Sequence, residues 1–303
     1  MGDQGWEALV ASHPVTIEGS AVSSFLHRHS RFRLGAQLSL PLAWLVVIYF
    51  GALAALLATS FYSLNTFTSA VERTFTLANY RAVFSDAGYV QAALRTVAIA
   101  LGATVICIVL GVPVAFFMAK IASARWRGIL LALMITPLWA SYLVKVYAWQ
   151  AMLQPESGVI AWLGKPFGWS GPGFGAVATT ITLAYLWLPY MVLPVFSGLE
   201  RMPDSLLEAS GDLGAQTGRT LRAIVLPILW PSIVAGSIFT FSLSLGDYIA
   251  VQVVGAKTQM LGNIVYQNYT TNLPFAAAIA TIPVVIMVGY LALARRAGAL
   301  ENL

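Results

Sequence analysis

DSLLEASGDLGAQTGRTLRAIVLP, residues 204–227, is the longest charged and polar segment in the second half of a very apolar chain. It carries Asp204, Glu208, Asp212, Arg219 and Arg222, then runs without a loop into a hydrophobic stretch. A polar segment that enters a membrane so directly is a surface built to touch something outside the bilayer. Pro203 suits the first turn of a helix, where its missing N–H is no loss. Asp204 and Glu208 put negative charge in that helix's N-terminal half, which the macrodipole favours. Leu206, Leu207 and Leu213 supply apolar anchors, and Gly211 and Gly214 are expected to break the helix. A second helix, from about Thr217, carries Arg219 and Arg222 into the next apolar run, which Pro227 and Pro231 bend. The expected local structure is helix, Gly turn, helix, lying on a membrane face.

Composition sets the solvent. The chain has 303 residues, of which 58% are hydrophobic and 10% charged, with a mean hydropathy of +0.77. A soluble domain carries about 25% charged residues, so a membrane protein is the starting expectation. The single cysteine, Cys107, lies in an apolar run and excludes a disulfide framework. All three histidines fall within the first 29 residues, which leaves none for a metal centre in the membrane body.

Charge-free gaps run over 34–71, 96–119, 128–144, 166–199, 223–246 and 258–294. Each is long enough, or extends far enough, to cross about 30 Å of hydrocarbon at 1.5 Å per residue. They predict an all-α membrane protein with spans at about 38–62, 94–119, 128–150, 176–198, 224–248 and 274–294, following a polar tail over 1–37. Only helices satisfy their backbone internally in runs this long, and the ~10-residue alternating segments of a barrel are missing. The tail lacks the apolar core and small-residue site of a cleaved signal peptide. Its basic end, FLHRHSRFRL (25–34), reads either as a surface-lying helix or as the positive flank of the first span.

Orientation follows from the basic residues. With the N-terminus cytoplasmic, the inside segments hold Arg28, Arg31, Arg33, Lys120, Arg125, Arg127, Arg201, Arg219, Arg222, Arg295 and Arg296, eleven of the seventeen. Both termini and the 204–227 segment then face the cytoplasm. This asymmetry accounts for the sequence pI of about 9.4 without nucleic acid as a partner. In the first outside loop, short helices are expected over 77–84 and from Gly88 into the second span. Gly171-Pro-Gly-Phe-Gly175 follows no strand and holds no Lys, and is read as a turn.

Catalytic signatures are missing. There is no Walker-type ATP motif, no H-E-x-x-H and no G-x-S-x-G. Two ionisable residues within apolar runs stand out, and such charges are functional candidates by default. Asp247, in SLSLGDYIA, reads as a carboxylate that attracts a cationic solute, or as a water-exposed helix end. Lys145, in SYLVKVYAW, reads as a pathway residue or as a snorkelling side chain. The aromatics Tyr142, Tyr147, Trp149, Tyr185, Trp187, Tyr190 and Tyr248 either offer cation–π contacts or form an interfacial belt. Prolines 113, 137, 189, 194, 227, 231 and 283 kink the spans, as suits a cavity that opens and closes.

Glu208-Ala209-Ser210, three residues, Gly214, nine residues, then Ile224-Val225-Leu226-Pro227 resembles the EAA loop of ABC importer permeases. Ser210 replaces the third-position Ala of that pattern. TPLWASYLVKVYAW (136–149), YLWLPYMVLPVFSGLERMP (185–203) and GNIVYQNYTTNLPFAAA (262–278) look like the spermidine/putrescine branch, and the likeness covers roughly 75–296. The resemblance implies a type I importer transmembrane domain in a bacterial inner membrane. Its 204–214 helix would dock a separate ATPase through Leu206, Leu207, Glu208, Ala209 and Ser210, with Gly214 making the turn. It further implies a second permease subunit, an extracytoplasmic binding protein, and ATP and Mg²⁺ held by the ATPase, with no cofactor on this chain. A polyamine is the expected solute, and the candidate pathway residues are Asp247, Tyr248, Tyr142, Lys145, Trp149, Tyr185 and Trp187. Other solutes of this family, such as opines, amino-acid-like compounds or inorganic ions, remain alternatives. A secondary transporter without an ATPase would need several buried acids, and Asp247 is the lone candidate.

Overall fold

The computed structural model describes residues 38–39, 41–65 and 67–296. The tail over 1–37, with its basic stretch 25–34, lies outside the described residues. The chain divides into two units, Met1–Leu56 and Leu57–Leu303. What is described of the first is most of helix α1 (Pro41–Ser60), an apolar helix with almost every side chain exposed.

In the second unit, a two-residue hairpin of β1 (Ser63–Leu64) and β2 (Val71–Glu72) precedes helix α2 (Ala78–Ser85). The hairpin is a minor feature of a fold that is otherwise helical, as expected. Asn65 makes the turn, its Oδ1 accepting from the backbone N–H of Phe67 and of Thr68 at 2.9 and 3.1 Å. Helix α3 (Ala87–Ile121) begins several residues before the predicted span. Asp86 caps it, accepting from Gly88 N–H at 2.7 Å.

The predicted third span is not one helix. Helices α4 (Ala124–Trp139) and α5 (Tyr142–Leu153) meet at 97°. Pro137 lies two residues before the end of α4, and Ala140 and Ser141 are extended. At 1.5 Å per residue α4 reaches about 24 Å and α5 about 18 Å, so neither alone crosses the hydrocarbon core. A short helix α6 (Val159–Gly164) follows. Then the glycine-rich 171–175 loop turns the chain, with Gly171, Gly173 and Gly175 all at positive φ.

Helix α7 (Ala176–Arg201) is the centre of the unit, packed against α3 and against α9 (Thr217–Leu245). Between α7 and α9 lies α8 (Ser205–Asp212). After α9 come α10 (Ile249–Val254), α11 (Leu261–Asn268) and α12 (Leu273–Arg296). With α1 and the α4–α5 pair, the long helices account for the six predicted segments, five of them unbroken.

Lipid tails give no hydrophobic drive between helices, so close backbones and hydrogen bonds must hold them. A Cβ on Gly236 of α9 would meet Met191 Cα at 3.1 Å and its carbonyl oxygen at 3.2 Å. A side chain there would force the two backbones apart by a few tenths of an ångström. Cys107 Sγ of α3 lies 3.3 Å from the Ala184 carbonyl of α7. Tyr290 of α12 donates to Ser237 Oγ of α9 at 2.8 Å. Thr96 of α3 accepts the N–H of Leu261 at 2.9 Å, which satisfies an orphan donor at the start of α11.

Candidate functional site

Two places carry the chemistry expected from the sequence. The first surrounds Asp247, in the break between α9 and α10. The fifth span was expected to reach residue 248, but α9 ends at Leu245, and Gly246–Tyr248 form the connection. Asp247 is only 8% exposed, so it is not a water-facing helix end. Its Oδ1 accepts from the Ala250 N–H at 2.9 Å, opening α10, and its Oδ2 accepts the phenolic hydrogen of Tyr142. The break between α4 and α5 is what places Tyr142, the first residue of α5.

Tyr142 stacks on Trp187 with ring centroids 5.9 Å apart. Tyr142, Trp187, Gly246, Asp247 and Tyr248 line a pocket of about 270 Å³. Tyr248 stacks on Tyr266 at 4.8 Å, and Tyr266 meets Tyr269 at 5.7 Å. Those rings line two further pockets. One, of about 400 Å³, is mainly apolar and includes Val265 and Pro283. The other, of about 370 Å³, is polar, with Gln252, Asn263, Gln267 and Thr270. Asn263 donates through Nδ2 to the Tyr248 carbonyl at 3.0 Å, while its buried Oδ1 has no partner.

This arrangement suits a cation. A carboxylate offers about four lone-pair sites, and the donors from Tyr142 and the start of α10 do not fill them. The rings add cation–π attraction of about 0.5–1 kcal/mol at an exposed site and about 2 kcal/mol where water is excluded. Of the residues singled out from the sequence, the structure gathers Asp247, Tyr248, Tyr142 and Trp187. It does not bring Lys145, Trp149 or Tyr185 to this pocket. Trp149 packs on Leu153, Ala178 and Val254. Tyr185 lines an apolar groove of about 600 Å³ between α3, α4 and α7. Lys145 is half-buried in α5. Sequence reasoning missed Asn263, Tyr266 and Tyr269, although the amide- and tyrosine-rich run 263–270 is unusual within an apolar half.

The second place is α8. Pro203 precedes the helix instead of entering it, and Asp204 takes the N-cap position. Gly211 stays helical, so Gly214 alone makes the break, at φ 72°, where a side chain would be strained. The helix is two-faced. Leu206, Glu208, Ala209 and Leu213 are exposed, whereas Leu207 packs on the main core and Ser210 is buried, so these two, expected on the docking face, turn into the bundle instead.

Both ends of α8 are tethered. Lys120 Nζ, at the end of α3, donates to the Met202 carbonyl and to Asp204 Oδ1, each at 2.6 Å. This pairing holds the Asp204 carboxyl below its ordinary range, through the hydrogen bond first and then the charge of Lys120. Ser210 Oγ and Thr220 Oγ1 lie 2.7 Å apart, joining α8 to the start of α9. Arg127 of α4 donates to the Ala119 carbonyl at 2.7 Å and pairs with Glu200 at 3.8 Å. Residues 119–127, 200–204 and 210–220 therefore share one end of the bundle.

Comparison with known proteins agrees with this architecture. Residues 108–297 match the family described as "Binding-protein-dependent transport system inner membrane component". The chain is 40% identical over 299 residues to the inner membrane ABC transporter permease protein YdcU of Escherichia coli (strain K12), covering 93% of this chain and 95% of that one. It is 33% identical over 265 residues to the spermidine/putrescine transport system permease protein PotB of Salmonella typhimurium (strain SL1344), covering 86% and 91%. Among solved structures, a bacterial ABC transporter involved in import of the acidic polysaccharide alginate superposes with a TM-score of 0.69 at 14% identity, over 91% of this chain and 98% of that one. An inward-facing MetNI methionine ABC transporter gives 0.53 at 21% identity, over 68% and 93%. On the family match, the relatives and the shared fold, the chain belongs to the inner membrane components of binding-protein-dependent transport systems, as a multi-pass permease subunit of an ABC importer.

Proposed function

We propose that this permease passes a small organic cation of the polyamine class from an extracytoplasmic binding protein to the cytoplasm, driven by ATP hydrolysed on a separate subunit. The observation that carries the solute class is Asp247, a buried carboxylate with free acceptor capacity walled by Tyr142, Trp187 and Tyr248. The relatives named for spermidine/putrescine transport support the same reading. The relative at 40% identity has a name that states no solute.

In this reading the solute's ammonium rests at Asp247. Its methylene chain lies along Tyr248 and Tyr266, and a further N–H faces the unpartnered Oδ1 of Asn263. The exposed face of α8 docks the ATPase, with Glu208 making charge-assisted hydrogen bonds to it and Leu206, Ala209 and Leu213 filling a groove. ATP and Mg²⁺ sit on that ATPase. A second permease subunit, a copy or a paralogue, completes the pathway. The excess of Lys and Arg in the segments between spans supports an orientation with both termini in the cytoplasm.

Reconstituting the permease with its ATPase, partner permease and binding protein, and following uptake of labelled putrescine and spermidine, tests the proposal. ATP-dependent uptake of either is expected. Uptake that ignores ATP overturns the importer mechanism. Robust uptake of an anionic or neutral solute with none of polyamines overturns the solute class.

A further inference from the structure

The geometry points to Lys120 and the Ser210–Thr220 hydroxyl pair as positioning residues that yoke α8 to two bendable turns of the bundle. The inference rests on α8 being the helix that docks the ATPase. An eight-residue helix is marginal alone and needs its surroundings to hold it. Lys120, its side chain 7% exposed, grips the start through Met202 and Asp204. A nearly buried ammonium without such partners is costly, so these bonds are strongly selected by the geometry. Ser210, 6% exposed, grips the far end through Thr220. Ser210 is also the one departure from the three-residue Glu-Ala-Ala pattern, and the hydroxyl it adds is the atom that makes this bond.

What lies beneath the two tethers is the informative part. Lys120 sits within a π-helical turn, Phe117–Ile121, at the end of α3. Thr220 directly precedes another, Leu221–Val225, at the start of α9. Pro113 lies four residues before the first and Pro227 two residues after the second. Pro227 lacks the N–H that would reach back to residue 223, and its ring crowds that carbonyl, which suits the wider turn there. π turns and prolines are where helices bend. A displacement of α8 is therefore delivered to the most compliant turn of each helix. Both of those helices pack on α7. The yoke lets one rigid docking helix flex α3 and α9 together.

The test uses the assembled transporter in liposomes, with uptake per ATP hydrolysed as the readout. Lys120→Met and the pair Ser210→Ala/Thr220→Val are expected to keep the ATPase subunit bound and hydrolysing, while uptake per ATP falls about tenfold, within the usual range of coupling free energies. Lys120→Arg, which keeps charge and donors, is expected to restore most of the ratio. Spin labels on Asp212→Cys and Ile121→Cys, both at exposed positions, report the yoke directly. Their distance distribution is expected to be narrow in the parent and broad in Lys120→Met. An unchanged uptake-to-hydrolysis ratio, or equally narrow distances, overturns the inference. If Lys120→Met fails to assemble, the Ser210/Thr220 pair decides alone. Loss of ATPase co-purification in the parent itself would instead count against α8 as the docking helix.

Discussion

The phenol of Tyr142 donates its hydrogen to the carboxylate of Asp247, across 105 residues of chain. One group stands at the elbow of the broken α4–α5 pair, the other in the break between α9 and α10. Two interruptions of regular helix are thus joined by one hydrogen bond, beside a pocket built from aromatic rings.

Asp247→Asn separates charge from structure at this point. The amide oxygen still accepts one bond, and the amide nitrogen can donate to the Tyr142 oxygen, so the fold is expected to hold. Uptake of a cationic solute is expected to fall about tenfold, the worth of roughly 1.4 kcal/mol of lost ion pairing. Transport kinetics measured beside thermal unfolding check this. Unchanged uptake would leave Asp247 as a cap for α10 alone.

Gly236→Ala should show how tightly α7 and α9 meet. The new methyl would press on the backbone of Met191, which has no rotamer to yield. A loss of about 1–3 kcal/mol is expected from such overpacking, read as a lowered midpoint in detergent. Gly289→Ala in α12, with open space around it, is the control. It is expected to be neutral or to gain up to about 1 kcal/mol from helix propensity.

Glu208→Lys reverses an exposed charge on α8. Membrane insertion and amount are expected to stay unchanged, because the side chain bonds to nothing among the described residues, while ATPase co-purification and uptake are lost. A pull-down with quantified membrane levels checks this, and normal uptake would remove Glu208 from the coupling role.

The Lys120–Asp204 pair sets a pH dependence. Asp204 has its carboxyl held low in the folded protein. Its contribution is therefore complete above the ordinary carboxylate range and is lost as pH falls through the lowered folded value. Asp204→Asn at neutral pH is expected to reproduce the acid state. The spin-label distance between positions 121 and 212, followed down the pH scale, should broaden in the parent and stay constant in the variant.

Much of this was legible in the sequence because long apolar runs report directly on a bilayer. The helix–turn–helix at 204–227 was legible too, since Gly214 and the charges of α8 are local signals. The 97° bend was not. Pro137 marks a kink, but the extended conformations at Ala140 and Ser141 depend on what α5 packs against. Lys120 looked like an ordinary positive flank at a span end. Its grip on Met202 and Asp204 depends on how α3 meets the end of α7, which no local pattern encodes. Likewise the tyrosines of α5, α9–α10 and α11 were visible singly. Which of them share a pocket is decided by the breaks between α4 and α5 and between α9 and α10, and by where α11 packs.

The bend between α4 and α5 also has a kinematic meaning. Two rods joined at 97° act as a bell crank: travel along the axis of one is broadside travel for the other. A slide of α4 along its length would carry α5 broadside, and Tyr142, at the joint, with it. A straight span given the same push would slip through its packing and keep the same lateral neighbours. At a right angle, an axial stroke of α4 would be felt at Asp247 as sideways travel of the phenol.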